Sequence, residues 1–204
     1  MKRRNIVVTL EGVEVEEAVD LAGVLVEAGI TRIEIPLDSP NPFGSISAIT
    51  KVMGDKAIIG AGMALKRIDV DGLKILGGKF ISSPNCNPKI ITLTKELGLL
   101  SWPGVVTPSE CFAALDAGAD GLNITPASMA GFNGCKALRA LLPEGTPLYA
   151  VGGVKLSEFK KYVQVGCSGF GLGSEVYAPG WSIAKVADKA AAAVDAHDTV
   201  FEGF

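Results

Sequence analysis

The sequence predicts a single (β/α)₈ barrel over residues 1–204, and three observations carry that expectation. Short apolar runs recur about every 23 residues, eight in all. Helical patterns separate them, and many of the helix-to-strand junctions carry a glycine, a residue suited to ending a helix in the left-handed conformation. The runs are near-continuously apolar rather than alternating, as in a parallel sheet buried on both faces. An open doubly wound sheet is the other arrangement of alternating strands and helices, but it seldom carries eight such even units. At this length the chain sits at the lower edge of the barrel's size range, and no linker or composition shift marks a second domain.

In order, the predicted strands are Asn5–Leu10, Thr31–Leu37, Ala57–Met63, Lys79–Ser83, Leu100–Val106, Gly121–Thr125, Pro147–Val151 and Ser168–Gly173. The glycine junctions are Gly29, Gly54, Gly77–Gly78, Gly98, Gly118, Gly145 and Gly166. Between the first two strands, Glu14–Ala28 reads as a helix with Ala18, Leu21, Ala22 and Leu25 on one face. The last helix, Ser182–Ala196, is alanine-rich and carries Lys185 and Lys189 on its solvent side.

Composition narrows function. Of the 204 residues 48% are apolar, which excludes disorder. The balance of 19 Lys+Arg against 22 Asp+Glu argues against a nucleic-acid binder, which needs a basic surplus. No apolar run approaches a transmembrane span, and the basic start at residues 1–4 precedes an apolar stretch too short for a signal-peptide core. No membrane partner is expected. The four cysteines (Cys86, Cys111, Cys135, Cys167) are widely spaced and read as reduced packing thiols of a cytoplasmic protein. With a single histidine, His197 near the C-terminus, neither a His–Cys zinc site nor a Ser–His–Asp triad is expected.

A barrel builds its site at the C-terminal ends of the strands. Two adjacent ends, Val151-Gly152-Gly153-Val154 and Gly171-Leu172-Gly173-Ser174, are rich in small residues that let backbone N–H groups approach an anion. A short helix expected after strand 8 would add its positive end, so Gly152, Gly153, Gly173 and Ser174 form a candidate phosphate site. The bland reading is tight strand-to-helix turns. Glu34 stands inside the apolar run Ile33-Glu34-Ile35-Pro36-Leu37 and must face the barrel mouth or be paired; it is the candidate general acid/base. A structural ion pair is the alternative. Asn123 is the inward polar residue of strand 6 and can serve a ligand or its neighbouring backbone equally well.

Glu34-Ile35-Pro36-Leu37, Ile59-Gly60-Ala61-Gly62, Ser83-Pro84-Asn85, Pro103-Gly104, Lys136-Ala137-Leu138 and the two glycine-rich ends together resemble the 2-keto-3-deoxy-6-phosphogluconate and 6-phosphogalactonate aldolases, the latter branch most closely. The resemblance spans roughly residues 6–195. It implies a cytoplasmic, homotrimeric class I aldolase needing no cofactor. Such an enzyme takes a phosphorylated sugar acid and cleaves it to pyruvate and glyceraldehyde 3-phosphate through an imine on a strand-6 lysine. The resemblance places the proton-shuttling glutamate at Glu34, the phosphate loops at Gly152, Gly153, Gly173 and Ser174, and further substrate contacts at Glu11, Met63, Pro84 and Asn85.

Three of these positions depart from the family pattern. Asn123 stands where the family has its imine-forming lysine, Glu11 where it has an arginine for the substrate carboxylate, and Met63 where it has a threonine. A carboxamide nitrogen cannot form an imine. An inverted charge about 4 Å from a carboxylate is worth roughly 4 kcal/mol at an effective dielectric near 20. Lys66 and Lys155 lie near the same barrel end but are expected to be solvated. Three functions stay open: aldol cleavage or proton transfer through Glu34, a lyase or epimerase using a cation on Glu11 and Glu34, and non-catalytic phosphosugar binding.

Overall fold

The computed structural model describes residues 4–201; the first three residues of the basic start lie outside it. Eight parallel strands close in sequence order: β1 (Ile6–Thr9), β2 (Arg32–Pro36), β3 (Ile58–Gly62), β4 (Phe80–Ser83), β5 (Leu100–Val105), β6 (Leu122–Ile124), β7 (Leu148–Val151) and β8 (Gly169–Leu172), with β8 pairing back onto β1. Around them run α1 (Val15–Ala28), α2 (Pro42–Met53), α3 (Arg67–Ile75), α4 (Pro88–Glu96), α5 (Pro108–Asp116), α6 (Ala127–Leu141), α7 (Phe159–Gln164) and α8 (Ile183–Phe201). Every predicted strand is present and is shorter than its apolar run, because residues at the run's ends belong to the turns.

Alternation within each strand separates two environments. On β2, Ile33 and Ile35 are fully buried, in the same core cluster as Leu21, Leu25, Ile46 and Ile49 of α1 and α2. Arg32 and Glu34, at the opposite parity, line the interior of the barrel. Large rings fill that interior because glycines stand beside them. A Cβ on Gly60 would come within 2.4 Å of the Phe80 ring, and one on Gly121 within 2.2 Å of Trp102.

Two junction details differ from expectation. Gly29 caps α1 with φ 95, as predicted, but Gly54 ends α2 in the right-handed region with φ −63, where glycine is needed for space instead: a Cβ would lie 2.6 Å from the Thr50 carbonyl. No helix follows β8 directly. The chain makes one turn there, Val176 and Tyr177 both donating their N–H to the carbonyl of Gly173, and α8 starts later and runs on to Phe201.

His197 serves the fold. Its Nε2 accepts the N–H of Asn5 at 3.3 Å. That leaves the ring proton on Nδ1, which faces Asp198 at 3.1 Å. Asp198 also holds Arg4 with two bonds of 2.9 and 2.7 Å, clasping the start of the described chain to α8. All four cysteines are free thiols, three of them buried.

Candidate active site

Glu34 is placed by strand parity and kept there by a missing side chain. A Cβ on Gly62 would lie 2.3 Å from Glu34 Oε1, so only glycine at the end of β3 leaves the carboxyl its seat. Glu34 pairs in register with Thr9 on one side and Gly60 on the other, yet its oxygen reaches the level of Gly62. The side chain therefore rises toward the C-terminal mouth. Desolvation pushes its pKa up from 4.5 to about 7, against hydrogen bonds from Ser82 and Thr9 that favour the ionised form. Thr9 Oγ1 donates to Oε1 at 3.3 Å. Burial wins.

Asn123 is 7% exposed and faces the same interior. Its Nδ2 donates to the Trp102 carbonyl and to Ser82 Oγ, both at 3.2 Å. A carbonyl can only accept, which fixes the amide with its nitrogen on that side. Both N–H bonds are thereby spent, and no donor among the described residues reaches Oδ1. Of the two roles left open by sequence, the nitrogen takes the structural one and the oxygen stays available.

Ser82 links the two residues, accepting from Asn123 and donating toward Glu34. Neither Ser82 nor Thr9 stands out in the sequence as a candidate. The signal is their parity: each is the polar residue of an apolar strand that shares the interior layer with Glu34. The space left among these side chains is about 20 Å³, room for one water. A larger ligand must rest above the layer, in the mouth.

At the rim the predicted residues are spread out. Glu11 is exposed in the turn after β1, outside the cavity lining, and none of the influences on Glu34 comes from it. Glu11 is thus open to solvent while Glu34 faces the interior. Among the described residues no three His, Cys, Asp or Glu side chains cluster to hold a metal. Pro84 and Asn85 are exposed in the loop after β4, where the Pro84 carbonyl packs so close to Gly104 that a Cβ there would meet it at 2.5 Å. Met63, 41% exposed, follows Gly62 with φ 56, the only left-handed non-glycine residue among those described.

At the ends of β7 and β8, Gly152 and Gly153 take left-handed conformations in succession, φ 86 and 73. The Gly152 carbonyl accepts the Ser128 N–H at 3.2 Å, tying this loop to the start of α6. Among the described residues nothing accepts the N–H of Gly153, Val154, Ser174 or Glu175. A Cβ on Gly173 would meet nothing within 4 Å. Lys66 and Lys155 are exposed, and among the described residues no lysine lines the cavity.

Eight parallel strands closed in sequence order, with a desolvated acid inside and the loops at the strands' carboxyl ends forming the mouth, define a (β/α)₈ barrel protein. More particularly, this chain belongs to the KDPG and KHG aldolase family, whose model matches residues 1–192. It is 43% identical over 200 residues to a probable 2-dehydro-3-deoxy-6-phosphogalactonate aldolase of Rhizobium meliloti (strain 1021), covering 98% of this chain and 94% of that one. The 2-dehydro-3-deoxy-6-phosphogalactonate aldolase of Escherichia coli (strain K12) is 41% identical over 192 residues, 94% of each chain. A solved structure described as native KDPGal superposes with a TM-score of 0.96 at 39% identity, covering 99% of this chain and 98% of the other.

The environment of Glu34 makes stability pH-dependent. A carboxyl whose pKa rises on folding holds its proton more tightly folded than unfolded. Stability therefore falls as pH rises from 4.5 to about 7, by about 3 kcal/mol, and levels off above. Urea denaturation across that range should show the slope, and Glu34→Gln should remove it. Ser82→Ala should move the Glu34 midpoint, followed by carboxyl-carbon NMR, above about 7, since Ser82 favours the ionised form. A midpoint unchanged or lowered would contradict the geometry.

Met63→Gly should relieve about 1–2 kcal/mol of left-handed strain and return a little under about 1 kcal/mol through a freer unfolded chain. The net gain, about 0.5–1 kcal/mol, is readable in the urea midpoint. A loss would show the thioether to be packed, with contacts worth more than the strain.

Proposed function

We propose that this protein binds a phosphorylated sugar at the C-terminal mouth of its barrel and does not carry out the imine-forming cleavage implied by its resemblance to the aldolases. The observation that carries this reading is the composition of the interior. Imine formation needs a neutral amine against the ketone. Among the described residues that line the cavity there is no lysine, and the one side-chain nitrogen from β6 is an amide bonded to Trp102 and Ser82. Phosphate binding is supported by the unspent N–H groups of Gly153, Val154, Ser174 and Glu175 around an open face at Gly173. By resemblance to its family the protein is cytoplasmic and homotrimeric.

A second reading, proton transfer on the bound sugar, is favoured by Glu34 itself. With its pKa at about 7 it can donate and accept at neutral pH, the property wanted of a general acid/base. The reading needs no covalent intermediate. A proton removed next to a ligand carbonyl would pass to Glu34 and return to a neighbouring atom.

Borohydride reduction in the presence of pyruvate, followed by intact-mass measurement, should leave the wild-type protein unmodified. A stoichiometric adduct would overturn the reading, and peptide mapping would locate the amine. The triple change Asn123→Lys, Glu11→Arg and Met63→Thr should gain trace trapping where each single change gains little.

Calorimetry should show that phosphorylated sugars bind and their unphosphorylated counterparts do not. Gly173→Asp, whose side chain enters open space without steric cost, should abolish that binding by placing a carboxylate against the phosphate. Equal binding with and without phosphate would remove the site.

A further inference from the structure

The hydrogen-bond inventory of the interior layer says what kind of group the far end of the ligand must carry. Asn123 has spent both of its donors, on Trp102 and Ser82, and presents Oδ1 as an unused acceptor. Ser82 accepts from Asn123 and gives its own proton toward Glu34. Thr9 gives its proton to Glu34 Oε1. Glu34 changes part with its own protonation, a donor while protonated and an acceptor once ionised, and while it is ionised it draws the hydroxyl protons of Thr9 and Ser82 toward itself. A ligand group above this layer meets acceptors first.

Positive charge does not reach the same place from any described residue. Arg32 is the one cation among the described residues that line the interior, and its guanidinium is turned to the opposite end of the barrel. There Nη1 donates to Tyr149 OH at 2.5 Å and to Asn5 Oδ1 at 3.4 Å. It is not among the influences on the Glu34 carboxyl, two residues along the same strand. A carboxylate is acceptor-only and anionic: among the side chains of this layer it would find a donor only in protonated Glu34, and no counter-charge. A hydroxyl suits every partner present: it donates to Asn123 Oδ1, donates to ionised Glu34, and accepts from Glu34 when that group holds its proton.

We propose that the ligand's end opposite the phosphate is an uncharged, hydroxyl-bearing carbon, so that the protein selects sugar or polyol phosphates and discriminates against phosphosugar acids. The inference rests on the phosphate reading above and deepens it by naming the substrate class. The span is consistent. β8 and β2 lie on either side of β1. Two strand spacings of about 4.8 Å each put the phosphate loops and Glu34 roughly 10 Å apart across the mouth. A six-carbon sugar phosphate bridges such a distance in its open-chain form.

Sorbitol 6-phosphate and 6-phosphogluconate test this directly, since they differ only at the first carbon, CH₂OH in one and carboxylate in the other. Calorimetry on the full chain near pH 7.5 should find sorbitol 6-phosphate bound at least tenfold more tightly. Glu34→Gln, which replaces a titrating acid by a permanent donor without charge, should narrow that ratio at least threefold. Asn123→Leu should weaken sorbitol 6-phosphate at least fivefold while leaving the affinity for inorganic phosphate within twofold, which also reports that the variant is folded. Equal affinities, or tighter binding of 6-phosphogluconate, would overturn the selection for an uncharged end while leaving the phosphate site standing. If neither ester binds and inorganic phosphate also fails to bind, the phosphate reading falls and this inference falls with it.

Discussion

The constraint on which the site depends is the desolvation of one carboxyl. Strand parity puts Glu34 on the inner surface of a closed barrel, where Phe80 and Trp102 fill much of the space and little water fits. An acid so placed keeps its proton to near neutrality unless a cation relieves it. The available cation sits two residues away on the same strand, yet Arg32 is held by Tyr149 and Asn5 at the N-terminal end. The two charges are thus separated along the barrel axis. Only hydroxyls, from Thr9 and Ser82, reach the carboxyl among the described residues, and they moderate its pKa without cancelling the effect of burial.

That separation needs three glycine positions for reasons of space rather than flexibility. Gly62 leaves room for the carboxyl, Gly60 for the Phe80 ring and Gly121 for Trp102. Each glycine removes one side chain so that a neighbouring strand can present a larger one, so the interior layer is specified jointly by adjacent strands. Substituting any of them with alanine would force a ring or the carboxylate to move, which is why the site and the fold cannot be altered independently at these positions.

Much of this is legible in single segments of the sequence. A glutamate in Ile33-Glu34-Ile35 has nowhere to go in an all-parallel barrel except inward, and Asn123 follows by the same rule. Ser82 and Thr9 do not announce themselves, because hydroxyl residues are ordinary in strands. Their importance lies in where they meet Glu34, Thr9 in register on the adjacent strand and Ser82 across the same interior, a relation between strands that no single segment contains. The helix expected after β8 is instead one turn on the Gly173 carbonyl, since glycine-rich sequence specifies a reversal but not its length. Glu11 is expected beside Glu34 because adjacent strand ends are neighbours. A turn beyond the strand, with Gly12 N–H on Ser39 Oγ, leaves Glu11 in solvent instead.

The two ends of the mouth differ in what lines them. At β7 and β8 the polar groups facing the mouth are unspent backbone N–H groups, and these persist wherever the backbone keeps its path, whatever the side chains around it do. At β2 and β6 the polar groups facing the interior belong to side chains, so that one substitution can change their chemistry without disturbing the strand. Asn123 shows how readily the fold takes an amide at this position: its nitrogen donates to the Trp102 carbonyl and to Ser82, so its donors are satisfied in the interior. A shared backbone path therefore constrains the N–H-rich end of the mouth more tightly than the end lined by side chains. The chemistry of the reacting end has to be argued from the hydrogen bonds that its own side chains have left unused.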